Sequence, residues 1–181
     1  LPLNLQQFPY FDNTSGQNHL VIVRKINLSS EIEELSPEEL NNVEQTLIER
    51  AQMVSATAYA PYSNFQVGAA VVLENGEILQ SSNQENVSFP AGSCAERVLL
   101  GYAGANYPNS APLILAIVAR RAGEEAWAGV SPCGICRQTI NEAEKRFGKP
   151  ITLLILNSNG NILRVKGIAE LLPLKFNDLM S

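Results

Sequence analysis

Ligands for a soft metal are scarce in this chain: one histidine and three cysteines among 181 residues. An odd cysteine count argues against a disulfide framework, and reduced thiols fit a cytoplasmic protein. No apolar run approaches the ~20 residues a bilayer span needs. The start, Leu1-Pro2-Leu3-Asn4, has neither an initiator methionine nor the charged region and apolar core of a signal peptide. Positive charge is short as well: 13 Lys and Arg stand against 18 Asp and Glu, a net charge of −5. That argues against a dominant electrostatic role on nucleic acid, which would want a basic face, and no basic tract with interleaved aromatics replaces it. There are no internal repeats, no low-complexity tracts and no second domain. What is present suits one soluble domain with a real core, since 45% of residues are hydrophobic and 17% charged. Small-molecule chemistry stays open.

Residues 1–35 read as an N-terminal extension or arm and 36–181 as the main domain. Leu20–Ile26 has the look of a strand. Ser36-Pro37-Glu38-Glu39 predicts a helix start, with Ser36 as N-cap, Pro37 at the first helical position and Glu39 closing a capping box. Apolar residues then recur at Leu40, Val43, Leu47, Val54 and Ala58, a helical spacing. Phe65–Leu73 predicts a strand, Asn75-Gly76 a hairpin turn and Glu77–Ser81 the partner strand. Ser93 would cap a helix from Cys94 to about Ala103. Leu113–Arg120 is a continuous apolar run, as in a strand buried on both faces. A helix from Cys133 to about Phe147 is stopped by Gly148 and Pro150. Strands over Ile151–Leu156 and Asn161–Val165 and a short helix near Ile168–Leu172 complete the pattern. Helices and strands alternate through the middle, which predicts a three-layer αβα domain around a mixed sheet.

All three cysteines sit in two short motifs, Cys94-Ala95-Glu96-Arg97 and Pro132-Cys133-Gly134-Ile135-Cys136-Arg137. A CxxC alone is a weak signal, shared by redox dithiols, zinc knuckles and chance. Here the third thiol has its own acid two positions on, and both motifs open predicted helices, where the dipole favours thiolate. Three thiolates suffice for a catalytic zinc with its fourth position open, whereas a closed structural site through His19 would need four ligands. Glu96 is placed to move protons to and from a zinc-activated water; away from a metal ligand it would only complement the helix dipole. Three thiolates also overbalance Zn2+. The two helix N-termini offset the excess, and Arg97, beside its ligand motif, donates to sulfur on the preferred reading. For Arg137 a surface or interface role is as good a reading.

The residues resemble the zinc-dependent cytidine deaminase family, over roughly Leu40 to Leu179. The resemblance rests on Tyr59 to Ala70 (YAPYSNFQVGAA), on Asn83-Gln84-Glu85-Asn86, on both cysteine motifs in that order, and on Glu170-Leu171-Leu172-Pro173 followed by Phe176. Cysteine as first ligand, with arginine after the glutamate, is similar to the small three-cysteine homotetrameric branch. The resemblance implies a five-stranded mixed sheet between helices, zinc on Cys94, Cys133 and Cys136, and Glu96 as the proton carrier in attack on C4 of the pyrimidine. It further implies Phe65, Asn83, Glu85, Ala95 and Phe176 as substrate-binding residues, with Asn83 and Glu85 on the ribose hydroxyl. On residue type alone, Asn83 and Glu85 are equally turn residues and Phe65 equally a core residue. The implied activity is hydrolytic deamination of cytidine and deoxycytidine in pyrimidine salvage. Val87-Ser88-Phe89-Pro90 departs from the family, putting Phe89 where a tyrosine is usual, and the arm is longer than this branch carries.

Blasticidin-S deaminases share the cysteine motifs but lack the Asn-x-Glu-Asn pattern in this form and the arginine after Glu96. A deoxycytidylate deaminase would want basic residues where Glu85 stands. A zinc-stabilised structural module is the alternative outside catalysis.

Overall fold

The computed structural model describes residues 24–177. Six strands form one sheet: β1 (Ile32–Leu35), β2 (Phe65–Leu73), β3 (Ile78–Ser82), β4 (Pro112–Arg121), β5 (Thr152–Leu156) and β6 (Ile162–Lys166). Their order across the sheet is β1-β6-β5-β4-β2-β3. Only the β4–β5 pair is parallel; all other neighbours are antiparallel. Helix α1 (Asn42–Ser55) covers one face, and α2 (Ala95–Asn106) and α3 (Gly134–Phe147) cover the other. The αβα layering is as the sequence predicts.

The period-2 alternation of the strands builds the two cores. Leu115 and Ile117 of β4, with Ala69 and Val71 of β2 and Leu153 and Ile155 of β5, pack towards α2 and α3. The intervening Ala116, Val118, Ala70 and Leu154 pack against Leu47, Ile48 and Ala51 of α1. Residues Leu115 to Ala119 are all buried, which explains their unbroken apolar run. The small residues on the α1 face let that helix approach closely. At Gly68 a Cβ would lie 1.9 Å from the carbonyl oxygen of Ala51, so only glycine fits there.

The Asn-Gly hairpin forms, with Gly76 at φ +88° and its amide bonded to the Leu73 carbonyl. Gly148 ends α3 in the left-handed conformation.

Five expectations need correction. The sheet has six strands, not five, because Ile32–Leu35 adds an edge strand antiparallel to β6. No strand covers Arg24–Ile26, and residues 20–23, with His19, lie outside the described residues. The Ser36–Glu39 capping box forms, with the Glu39 carboxylate accepting the Ser36 amide at 2.8 Å, but it starts only a three-residue 3-10 turn. A second box immediately after it starts α1: Asn41 Oδ1 accepts the amides of Val43 and Glu44, and Glu44 accepts that of Asn41. Cys94, not Ser93, is the N-cap of α2, and the expected helix at Ile168–Leu172 is a single 3-10 turn over Ile168–Glu170.

Glu44 has a second task. Its carboxylate takes Arg164 of β6 in two bonds, at 2.9 and 2.6 Å, and Arg164 also reaches Glu33 of β1 at 3.2 Å. One largely buried guanidinium thus ties α1, β6 and the edge strand together.

Gly68→Ala should lower unfolding stability by about 3 kcal/mol in urea titration, because a methyl group there forces α1 off the sheet.

Candidate metal and substrate site

Strand direction decides where the site lies. β3 and β4 are both antiparallel to β2, so they run parallel to each other, and β5 runs parallel to β4. Helix α2 follows β3 and α3 follows β4, so both helices begin at the same end of the sheet. β2 starts at that end too, which brings Phe65 there. Residues distant in sequence are therefore delivered to one edge by topology.

At that edge the three cysteine sulfurs lie within 4.8 Å of one another, the only such group of candidate metal ligands among the described residues. Cys94 and Cys133 are the N-caps of α2 and α3, and Cys136 lies in the first turn of α3. The Cys133–Cys136 separation is 3.4 Å and the Cys94–Cys133 separation 3.9 Å. Tetrahedral zinc with bonds of ~2.3 Å sets sulfurs about 3.8 Å apart, so the set fits that ion. Proton sharing among the sulfurs points the same way. A hydrogen bond from Cys136, with help from Cys133 and the Arg97 charge, holds the Cys94 thiol well below its usual range. The same bond, with burial and the neighbouring Glu96 charge, pushes Cys136 up. A divalent cation removes the conflict by stabilising all three as thiolates.

Glu96 stands in the first turn of α2, only 4% exposed. Burial first, and the Cys94 charge after it, raise its carboxyl above the usual range. Arg97 donates to the Gly92 carbonyl at 2.5 Å, and its charge adds to what holds the Cys94 thiol low. Arg137 does something else. Its Nε donates to the Pro132 carbonyl at 2.9 Å and its Nη1 to the Leu171 carbonyl at 2.8 Å. It braces the backbone of the CxxC loop against the C-terminal segment.

The Asn83–Glu85 segment runs between two others. The Gln84 amide donates to the Ser93 carbonyl at 2.9 Å and the Ser93 amide returns to Gln84 at 2.8 Å, directly before Cys94. On its other side, the Tyr59 amide donates to Asn83 at 3.1 Å and the Glu85 amide to Tyr59 at 2.8 Å. The buried Asn83 side chain accepts the Val67 amide at 2.8 Å and donates to the Phe65 carbonyl at 2.9 Å, pinning the start of β2. Glu85 accepts the amides of Tyr62 and Ser63 and the Ser63 hydroxyl. Phe65, Asn83, Glu85 and the cysteine cluster thus share one end of the sheet. Ala95 is fully buried, its carbonyl accepting the Ser81 hydroxyl at 2.7 Å.

Phe176 stands apart from Phe65, Asn83 and Glu85. Its carbonyl accepts from Gln138 and Asn141 of α3, and its ring is 61% exposed. It borders a groove of about 930 Å3 between α2 and α3 that Arg97 and Ile135 also line, and that Phe65, Asn83 and Glu85 do not. Reading the sequence missed three supports: Ser63 and Tyr62 under Glu85, and Glu144. Glu144 accepts the amides of Ile151 and Ile168, fastening α3 to β5 and to the turn after β6. No spacing signals such contacts, because each joins a side chain to a group on another segment of the fold.

A profile described as the cytidine and deoxycytidylate deaminase zinc-binding region matches residues 41–148. The chain belongs to this family. A cytidine deaminase of Halalkalibacterium halodurans is 35% identical over 71% of this chain and 90% of its own length. A blasticidin-S deaminase of Bacillus cereus is 27% identical over 75% of this chain and 95% of its own. Among solved structures, a cytidine deaminase from Burkholderia pseudomallei superposes with a TM-score of 0.60 at 32% identity, covering 76% of this chain and all of that one. The family is described by its zinc-binding region, and the three clustered thiols are a donor set that fits zinc.

The chain has no thiols beyond these three, so a chelator should expose all of them at once. Ellman's reagent should titrate few thiols in the zinc-loaded protein and, after chelation, about three per zinc released.

Proposed function

We propose that this chain is a hydrolase that converts cytidine and deoxycytidine to uridine and deoxyuridine, releasing ammonia. The observation that carries this reading is a buried carboxyl, Glu96, beside three convergent thiols at the meeting of two helix N-termini.

Zinc held by Cys94, Cys133 and Cys136 supplies the acidification of the attacking water. Glu96 takes a proton from that water and gives it to N3 of the pyrimidine as the new C–O bond forms at C4. It then delivers the water's second proton to the exocyclic nitrogen, and the C4–N bond breaks with departure of ammonia. Burial suits this shuttle, because a carboxyl raised towards neutrality both accepts and releases a proton readily. Asn83 and Glu85 receive the sugar hydroxyls, Phe65 packs by the base, Ala95 offers its backbone beside Glu96, and Phe176 serves a neighbouring copy's site. A carboxylate at Glu85 welcomes a hydroxyl and repels a 5′-phosphate, which favours nucleoside over nucleotide. The Arg97 charge beside Cys94 would offset part of the thiolate charge on a bound zinc.

We read the protein as a homotetramer acting in the cytoplasm in pyrimidine salvage. Support for assembly comes from Tyr102, Ile135 and Phe176 beside the α2–α3 region and from Val87 and Phe89 near the site, all exposed in the single chain. Residues 1–35 are read as an arm whose last four residues complete the sheet. Among the described residues no helix is long and apolar enough to cross a membrane.

Three measurements test the reading. Glu96→Gln should keep its zinc, about one per chain, yet lose turnover by at least a thousandfold; full activity in that variant would refute the mechanism. A panel of cytidine, deoxycytidine and blasticidin S, scored by ammonia release, should give turnover on the two nucleosides, whereas turnover on blasticidin S alone would favour the antibiotic-directed relative. Light scattering should return four times the chain mass.

A further inference from the structure

Glu85 is a half-buried glutamate with no cationic partner among the described residues, yet its carboxylate is held at three points. Oε2 accepts the Tyr62 amide at 2.9 Å and the Ser63 amide at 3.3 Å, and Oε1 accepts the Ser63 hydroxyl at 2.5 Å. Successive amides aimed at one anion form a backbone nest. Its shape is fixed by Asn64, which adopts φ +55°, a left-handed conformation that asparagine tolerates. The Asn64 amide closes the turn on Ala60 at 3.0 Å, and its carbonyl is anchored by the Ala122 amide, just beyond β4, at 2.8 Å.

The Ser63 hydroxyl has one proton, and that proton goes to Glu85. As an acceptor the same oxygen takes the Phe65 amide at 3.0 Å. One atom therefore joins the carboxylate to the first residue of β2. A carboxylate has about four lone-pair sites. Two are filled on Oε2 and one on Oε1, so one acceptor direction remains on Oε1, and the Ser63 bond sets where it points.

We propose that Ser63 is a positioning residue for substrate: its hydroxyl, locked between Glu85 and the Phe65 amide, orients the one free acceptor of Glu85 towards the sugar hydroxyl. This rests on the reading of Glu85 as the sugar-binding group. An unheld glutamate would have to lose side-chain rotamer freedom each time a nucleoside bound; Ser63 and the nest remove that freedom in advance. The effect belongs to binding shared by ground and transition states, so it should appear in KM and leave kcat alone.

The test is steady-state kinetics on zinc-loaded wild type, Ser63→Ala, Ser63→Thr and Glu85→Ala, with cytidine and with 2′,3′-dideoxycytidine, alongside thermal melts. Ser63→Ala should raise KM for cytidine about tenfold, the loss expected for one charge-assisted hydrogen bond, with kcat within about twofold. Ser63→Thr keeps the hydroxyl and should restore KM. On the dideoxy substrate, which keeps only its 5′-hydroxyl and has none at 2′ or 3′ for Glu85 to receive, wild type and Ser63→Ala should share one KM. Should Glu85→Ala raise KM while Ser63→Ala does not, the positioning role falls and the sugar-binding reading stands. If Glu85→Ala itself leaves KM for cytidine unchanged, both fall. A loss in Ser63→Ala that is equal on both substrates, or that tracks a lowered melting temperature and is not restored by threonine, assigns Ser63 to fold maintenance and overturns the proposal.

Discussion

Two helix N-termini meeting at one end of the sheet are the constraint on which this molecule's chemistry depends. Each terminus carries unpaired amides and partial positive charge, and each is capped by a cysteine. The meeting is a consequence of strand direction. Because β3, β4 and β5 run the same way, the helices that follow β3 and β4 must both start at that end. A reversed β3 or β4 would place Cys94 and Cys133 at opposite ends of the sheet, and no loop of ordinary length would reunite them.

Three sulfurs crowded together are stable only with a cation or shared protons. The protein relieves part of the excess charge itself, through the helix ends, the Cys136 amide directed at the Cys133 sulfur at 3.5 Å, and Arg97. The two arginines that follow the cysteine motifs divide the work. Arg97 acts on charge, while Arg137 acts on shape, gripping the carbonyls of Pro132 and Leu171. Identical side chains in similar sequence settings thus differ in function because of what lies within reach of each guanidinium.

Much of this was legible in the sequence, for identifiable reasons. Phe65–Leu73 and the run near Leu113–Arg120 are long, apolar and bounded by turn signals, and both became strands where expected. The cysteine motifs were legible because ligands three residues apart on a helical turn are a local pattern. The edge strand Ile32–Leu35 was not: four residues, half of them glutamates, carry no alternation, and only pairing with β6 and the Arg164 contact make them a strand. Helix α1 began late because two capping boxes stand in tandem at Ser36 and Asn41, and the sequence does not say which one the helix obeys. Asn83 resisted reading for a different reason. Its amide holds the start of β2 by two backbone bonds, a structural duty that residue type cannot separate from a ligand-binding one.

The acidic edge strand has a consequence for how this protein behaves among copies of itself. Without it the sheet would end at β6, whose Ile162-Leu163-Arg164-Val165 run offers apolar side chains and a row of free backbone groups. Such an edge is a template on which another chain can add a strand. β1 occupies that template with a short strip bearing Glu33 and Glu34, the first paired with Arg164 and Lys166 and the second with Asn159 and Asn161. The strip is too brief and too negative to be extended in turn, so it works as a guard against open-ended self-association.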